Sequence, residues 1–293
     1  MDSPRLKAKT EPGFARTHPL FGTMAVLATK HDKVALFEPA FMSELGMRIE
    51  RADIDTDAFG TFAGEIPREG TAFETVVRKA RAGAESAGSR FGLASEGSIG
   101  ASPTLPFVNA NVELAAFVDL ESDNTVVEHF VSHSIKTVCI RVGQDDDPSH
   151  RLAVGGFPEH GVIVRPASTK SGPIHKGLHS LDAVRECIRF DVDGRASIES
   201  DFRANHCPSR RPAISAAAAA LARRLREACG DCGAPGWGPI EKVTKLQCRT
   251  CGHQVARSNR STFGCAVCGT TEETVNPNST EILEPEWCAI CNP

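Results

Sequence analysis

At 293 residues and 41% hydrophobic content, the chain has room for roughly two domains with real cores, which excludes disorder as its general description. A net charge of -4 and a pI near 6.2 exclude a global attraction to nucleic acid or to an anionic membrane, so any anion site must be local. The longest apolar run, Ala213 to Ala222, is mostly alanine and too short for a membrane span, and no export signal is read at the N-terminus, which points to the cytoplasm.

In chain order, residues 1–22 are rich in Pro, Lys, Arg and Thr without periodicity and read as a flexible arm. Met24 to Thr29 reads as a buried strand that stops at Lys30-His31-Asp32-Lys33. Val34, Phe37, Phe41 and Leu45 then fall on one helical face, with Gly46 as the stop. Met47 to Ile54 reads as a second strand, and residues 55–65 as a polar, glycine-punctuated loop. Thr71 and Glu74 have capping-box spacing and open a helix to about Ala87. Phe91 to Ser95 reads as a strand that ends at Glu96 in an open loop, because Gly97, Gly100 and Pro103 follow.

Alternation over 112–120 and 125–131 predicts an antiparallel hairpin. Short strands are expected at 136–142, 161–166 and 196–199, an acidic loop at 144–150, a loop holding Lys176 and Gly177, and helices at about 180–190 and 213–228. The expected fold is α/β over residues 23–228, with a mixed, mostly parallel central sheet and flanking helices. Residues 229–293 form a separate, smaller region.

That region carries four C-x-x-C knuckles: Cys229/Cys232, Cys248/Cys251, Cys265/Cys268 and Cys288/Cys291. Each can turn two thiolates toward one tetrahedral ion, so four knuckles imply two structural zinc ions with closed coordination. Sequential, crossed and nested pairings all satisfy the count; the short spacing between Cys251 and Cys265 favours the nested one. From Cys229 onward the chain has five Lys+Arg against seven Asp+Glu, which runs against a nucleic-acid-binding ribbon and suits a metal-stapled lid or a platform for a protein partner. Cys139 and Cys187 sit in apolar patterns and are expected in the core, while Cys207 has only His206 beside it.

In a largely parallel sheet, the loops after the first three strands gather at one edge, the usual ligand crevice. Thr29, Lys30, His31 and Lys33 stand at a helix start, where backbone N–H groups favour a phosphate. Glu96, paired with Glu74, Asp55 or Asp57, has the oxygen donors for a hard divalent cation such as Mg²⁺ or Mn²⁺.

The order of these segments resembles the inosine triphosphate pyrophosphatase superfamily, including its Maf-like and xanthosine triphosphatase branches. The resemblance is carried by ATKHDK, through Thr29 and Lys33, and by GTAFETVVRKA, through Thr71, Phe73, Glu74, Lys79 and Ala80. It continues in FGLASEGSIG, GGFPEHGVIVRP and NHCPSRRPAI. It implies a metal-dependent phosphohydrolase of a nucleotide-like substrate, with Glu96, Glu74 and Lys79 catalytic. Thr29, Lys30, His31, Lys33, Asp55 and Asp57 would then bind phosphate, and Arg203, Ser209 and Arg210 the base or distal group.

TKHDK, DTDAFGTFAGE, ASEGSIG, DFRANHCPSR and CAICNP together resemble an uncharacterised bacterial domain family of unknown function with C-terminal zinc knuckles. Two other readings compete with the hydrolase. One is a non-catalytic nucleotide or phosphometabolite binding protein whose zinc region docks a protein partner. The other is an RNA-associated zinc-ribbon protein.

Overall fold

The computed structural model describes residues 18–30, 33–102, 105, 107–166, 173–189, 195–240, 245–256, 260–275, 282–288 and 290–291. The chain divides into two compact units, Met1–Arg223 and Arg224–Pro293. Of the expected N-terminal arm, residues 1–17 lie outside the described residues, and so does His31. Leu20, at the arm's inner end, is buried.

Unit 1 opens with β1 (Met24–Ala28), α1 (Val34–Leu45) and β2 (Arg48–Ala52), followed by α2 (Ala72–Ser86), β3 (Phe91–Ala101), β4 (Asn109–Asp119) and β5 (Asn124–Ser132). The apolar stripe of α1 is buried through Phe37, Phe41 and Leu45, with the two rings stacked, and Gly46 ends the helix in the left-handed region at φ 60°. The capping box of α2 forms as its spacing predicts: Thr71 Oγ accepts from the Glu74 N–H, and the Glu74 carboxylate accepts from the Thr71 N–H. Below it, Gly92 lets β3 pass close under the helix, since a Cβ there would lie 2.2 Å from the Ala80 carbonyl oxygen.

These strands form one sheet in the order β2-β1-β3-β4-β5. β1 runs parallel to β2 and β3, while the β3–β4 and β4–β5 pairs are antiparallel. A second sheet is built from β6 (Cys139–Gly143), β7 (Val162–Pro166), β8 (His175–Leu178) and β9 (Arg195–Ser200), in the order β6-β9-β7-β8 and antiparallel throughout. With α3 (Ser149–Val154) and α4 (Leu181–Arg189) it encloses a core of Val142, Leu152, Val162, Val164, Val184, Ile188, Ala196 and Ile198. α5 (Arg211–Arg226) follows.

The architecture is therefore mixed α/β, with two sheets in place of one mostly parallel central sheet. The cause is non-local: β9 inserts between β6 and β7, a pairing no local pattern announces. The segment around Lys176 is strand β8, not loop, and α3 occupies the end of the expected acidic loop. Cys139 is exposed on the edge strand β6, and Cys187 is half-buried on α4.

The largest departure concerns β3. It does not end at Glu96 but continues to Ala101, paired with β4 in unbroken register from Phe91↔Asp119 to Ala101↔Asn109. β1, on its other side, pairs no further than Ala94. Beyond Ala94 the strand overhangs, and the polar sequence that reads as a loop is instead a strand with both faces available.

Unit 2 holds two small sheets, β10 (Gly238–Ile240), β13 (Arg260–Gly264) and β14 (Thr271–Val275) in one, and β12 (Gln254–Ala256), β11 (Lys245–Cys248) and β15 (Ile282–Leu283) in the other. The divide between units falls inside α5, shortly before Cys229. Among the described residues, no helix is long and apolar enough to cross a membrane.

Candidate functional site

The knuckles of unit 2 owe their shape to backbone bonds. The N–H groups of Gly233, Gly252 and Gly269 donate to the carbonyls of Cys229, Cys248 and Cys265 at 2.9, 3.0 and 3.1 Å. Each of these glycines has a positive φ, 73°, 71° and 74°, which a side chain would strain. The first cysteine of every knuckle is buried and the second exposed.

Two tetracysteine clusters result: Cys229, Cys232, Cys265 and Cys268, and Cys248, Cys251, Cys288 and Cys291. The pairing is crossed, the first knuckle with the third and the second with the fourth, so the nested expectation is corrected. Within each cluster all Sγ atoms lie within 4.8 Å of one another, with contacts of 3.6–3.8 Å across the paired knuckles. A tetrahedron with metal–sulfur bonds of ~2.3 Å has sulfurs about 3.8 Å apart, so the donor sets fit zinc. Among the described residues these are the only groupings of three or more Cys, His, Asp or Glu that could hold a metal ion.

Unit 1 contains a cavity of about 440 Å³ at the overhang of β3. Successive residues of a strand face opposite ways, and contacts assign each face. On one face Ser95 Oγ accepts from Lys33 Nζ at 2.9 Å, and Gly97 lies against Arg210, whose Nη2 would be 2.3 Å from a Cβ there. On the other face the Glu96 carboxylate accepts from Lys79 Nζ at 2.7 Å and Arg68 Nη1 at 3.3 Å, and Arg68 also reaches Ser98 Oγ at 3.2 Å.

Seven cationic side chains line the cavity: Lys30, Lys33, Arg68, Lys79, Lys176, Arg203 and Arg210. Among the described residues, only Asp57 and Glu96 do so of the carboxylates. Carboxylates in turn hold most of the cations. Asp55 and Asp57 hold Lys30 at 3.0 and 2.7 Å, Asp201 holds Arg203, and Glu65 holds Lys176. Glu113 grips Arg210 through Nε and Nη2, while Arg210 Nη1 donates to the Phe202 carbonyl at 2.7 Å. The guanidinium also stands 4.4 Å over the Phe62 ring. Both members of the Glu113–Arg210 pair are essentially inaccessible, at 0% and 1% exposure.

Lys33 is the exception. It is 9% exposed, and among the described residues no carboxylate lies within ion-pair distance of it. Burial, followed by the repulsion of Arg210, pulls its ammonium down to about 7. Because the folded value lies below the ordinary lysine value of 10.5, the cost of burying the charge is complete below pH 7 and is relieved as pH rises toward 10.5. Lys33→Met is therefore expected to raise the thermal midpoint of unit 1, on the order of 5 °C or more at pH 6, with the gain shrinking by pH 9 to 10. Melting curves of both proteins across that range test the sign.

Of the residues singled out from sequence, Thr29, Lys30, Lys33, Asp57, Lys79, Glu96, Arg203 and Arg210 line the cavity. Asp55 stands just behind, bonded to Lys30 and to the Asp57 N–H. Glu74 does not join Glu96: its carboxylate is spent on the α2 cap, and the Thr71 N–H and hydroxyl hold it below its ordinary range. Ser209 accepts from the Lys136 N–H at 3.2 Å and is not part of the wall. Cys207 is buried, and burial pushes its thiol up, the opposite of an activated nucleophile.

Ser95, Arg68 and Lys176 were not read from the sequence as site residues. The one available signal was Ser95 itself, a hydroxyl beside Glu96 at the end of an apolar run. No curated protein matches the chain. Residues 79–293 match a family described as a domain of unknown function, DUF6671, a span that takes in Ser95, Glu96, Arg203, Arg210 and every paired cysteine but not Lys33. That match covers well over half the sequence, and the chain belongs to this family.

Proposed function

We propose that unit 1 binds a phosphorylated, nucleotide-like small molecule in the β3 cavity, and that the two tetracysteine clusters of unit 2 hold zinc. The observation that carries the first reading is the convergence, among the described residues, of seven basic side chains and only two carboxylates on one cavity. Carboxylates behind the wall fix most of these cations in place, so little ordering remains when an anion arrives. The volume, about 440 Å³, suits a ligand of nucleotide size, and Phe62 and Phe202 supply an apolar wall.

The donor set does not favour a Mg²⁺ or Mn²⁺ centre built on Glu96 and Glu74. Both Glu96 oxygens already accept from cations, and Glu74 is occupied at the α2 cap. What remains of the likeness to inosine triphosphate pyrophosphatases is the phosphate-binding character of Thr29 and Lys79. Thermal melting and calorimetry with inorganic phosphate, pyrophosphate and a nucleoside triphosphate panel test the reading. Pyrophosphate or a nucleotide is expected to raise the midpoint of unit 1 saturably. Arg68→Ala is expected to weaken that binding by roughly tenfold, the loss of one charge-assisted contact. No stabilisation by any of these anions at millimolar concentration overturns it.

A further inference from the structure

The feature that anion binding leaves unused is the contact between Lys33 and Ser95. An amine buried with no carboxylate at ion-pair distance among the described residues is a costly arrangement, and the fold places it 2.9 Å from a hydroxyl that itself lines the cavity. Among the described residues, Ser95 Oγ has no other hydrogen-bond partner. The groups acting on the Lys33 amine are Arg210, Glu113, Lys79 and Glu96; Arg210 outweighs the rest, and Glu113 is already committed to Arg210. Burial and a neighbouring cation bring the Lys33 amine down to about 7, so a substantial share of it is neutral near pH 7, and a neutral amine at this distance accepts the hydroxyl proton.

We infer that Lys33 and Ser95 form a base–nucleophile dyad that transfers a phosphoryl group from the anion bound in the cavity to Ser95. In the first step Ser95 Oγ bonds to phosphorus while Lys33 Nζ takes the hydroxyl proton. The bond from phosphorus to the leaving oxygen breaks with its electron pair, and that oxygen takes the proton from the Lys33 ammonium. In the second step water attacks the phosphoserine, its proton passing to Lys33. The bond from phosphorus to Oγ then breaks, Oγ recovers the proton, and inorganic phosphate leaves. Arg210, beside Gly97 on the same face of β3, lines the cavity but is committed to Glu113 and the Phe202 carbonyl. No step requires a redox partner, and each proton is accounted for.

This inference rests on the phosphate-binding reading, and the test separates the two. The full chain is treated with a fluorophosphonate, whose phosphorus loses fluoride to an activated serine, and the modified peptide is identified by mass spectrometry. Pyrophosphate binding is measured on the same samples. Wild type is expected to be labelled at Ser95, at a rate that rises with pH through about 7 and then levels, with pyrophosphate protecting. Ser95→Ala is expected to take no label at that site. Lys33→Arg replaces the base with a group that stays protonated, and is expected to slow labelling by roughly 10²-fold or more. Pyrophosphate binding without label on Ser95, or equal labelling in Lys33→Arg, overturns the dyad alone. Labelling without pyrophosphate binding upholds the dyad and overturns the phosphate reading, and neither signal overturns both.

Discussion

Cys288→Ser is expected to release one of two bound ions and to expose Cys248, Cys251 and Cys291 to alkylation, while Cys229, Cys232, Cys265 and Cys268 stay protected. The crossed pairing dictates that pattern, because Cys288 shares its cluster with the second knuckle and not the first. A nested pairing would instead free Cys229 and Cys232. Metal analysis with alkylation mass spectrometry separates these outcomes, and a wild-type chain that is folded but metal-free would defeat both. The effect on stability is large. Beyond the cysteines, the buried cluster described in this unit adds only Leu283, too little apolar area to hold a fold. Binding of a structural ion contributes on the order of 10 kcal/mol, so a strong chelator is expected to melt residues 224–293 while unit 1 keeps its own transition.

Arg210→Ala is expected to destabilise unit 1 by about 3–5 kcal/mol, because it strands the Glu113 carboxylate at 0% exposure without a partner. The same change removes a wall of the cavity, so pyrophosphate binding should fall with it. Gly97→Ala reaches a similar end by sterics. A Cβ at that position would meet Arg210 Nη2 at 2.3 Å and Glu113 Oε1 at 2.7 Å, and the guanidinium cannot retreat while the Phe202 carbonyl and the Phe62 ring hold it. Replacing both partners, as in Arg210→Met with Glu113→Leu, is expected to recover much of the stability but not the anion binding, since the unpaired charge disappears along with the cation. Urea unfolding of the three variants, with calorimetry against pyrophosphate, checks each step. If Arg210→Ala alone is as stable as wild type, the pair is not the keystone described.

Local physics made several elements legible. The Phe37–Phe41–Leu45 spacing, the Thr71–Glu74 capping box, the hairpin of β4 and β5 and the four knuckles each depend on residues a few positions apart. What stayed hidden depends on distance along the chain. Glu96-Gly-Ser-Ile-Gly100 has a loop's composition, yet its pairing with β4 holds it extended. Lys33 meets Ser95 only once β1 and β3 pair, and Arg210 meets Glu113 only across 97 positions of sequence. Glu113 did offer a clue, a carboxylate inside an otherwise apolar strand. Crossed pairing of the knuckles was indistinguishable from nested pairing because every knuckle has the same internal spacing.

The overhang of β3 also makes the cavity sensitive to phase. Ser95 and Gly97 point to one face of β3 and Glu96 and Ser98 to the other, so a slip of one position along β4 could trade a hydroxyl for a carboxylate beside Lys33. Inserting a single residue between Phe91 and Ser95 would set Ala94 against the amine, and deleting one would turn the amine–alcohol pair into an ordinary ion pair. That rewiring would neutralise the one cation in the wall that lacks a carboxylate among the described residues. A shift by two would keep the same face but set Leu93 or Gly97 beside Lys33, so this one register alone brings the amine and the hydroxyl together.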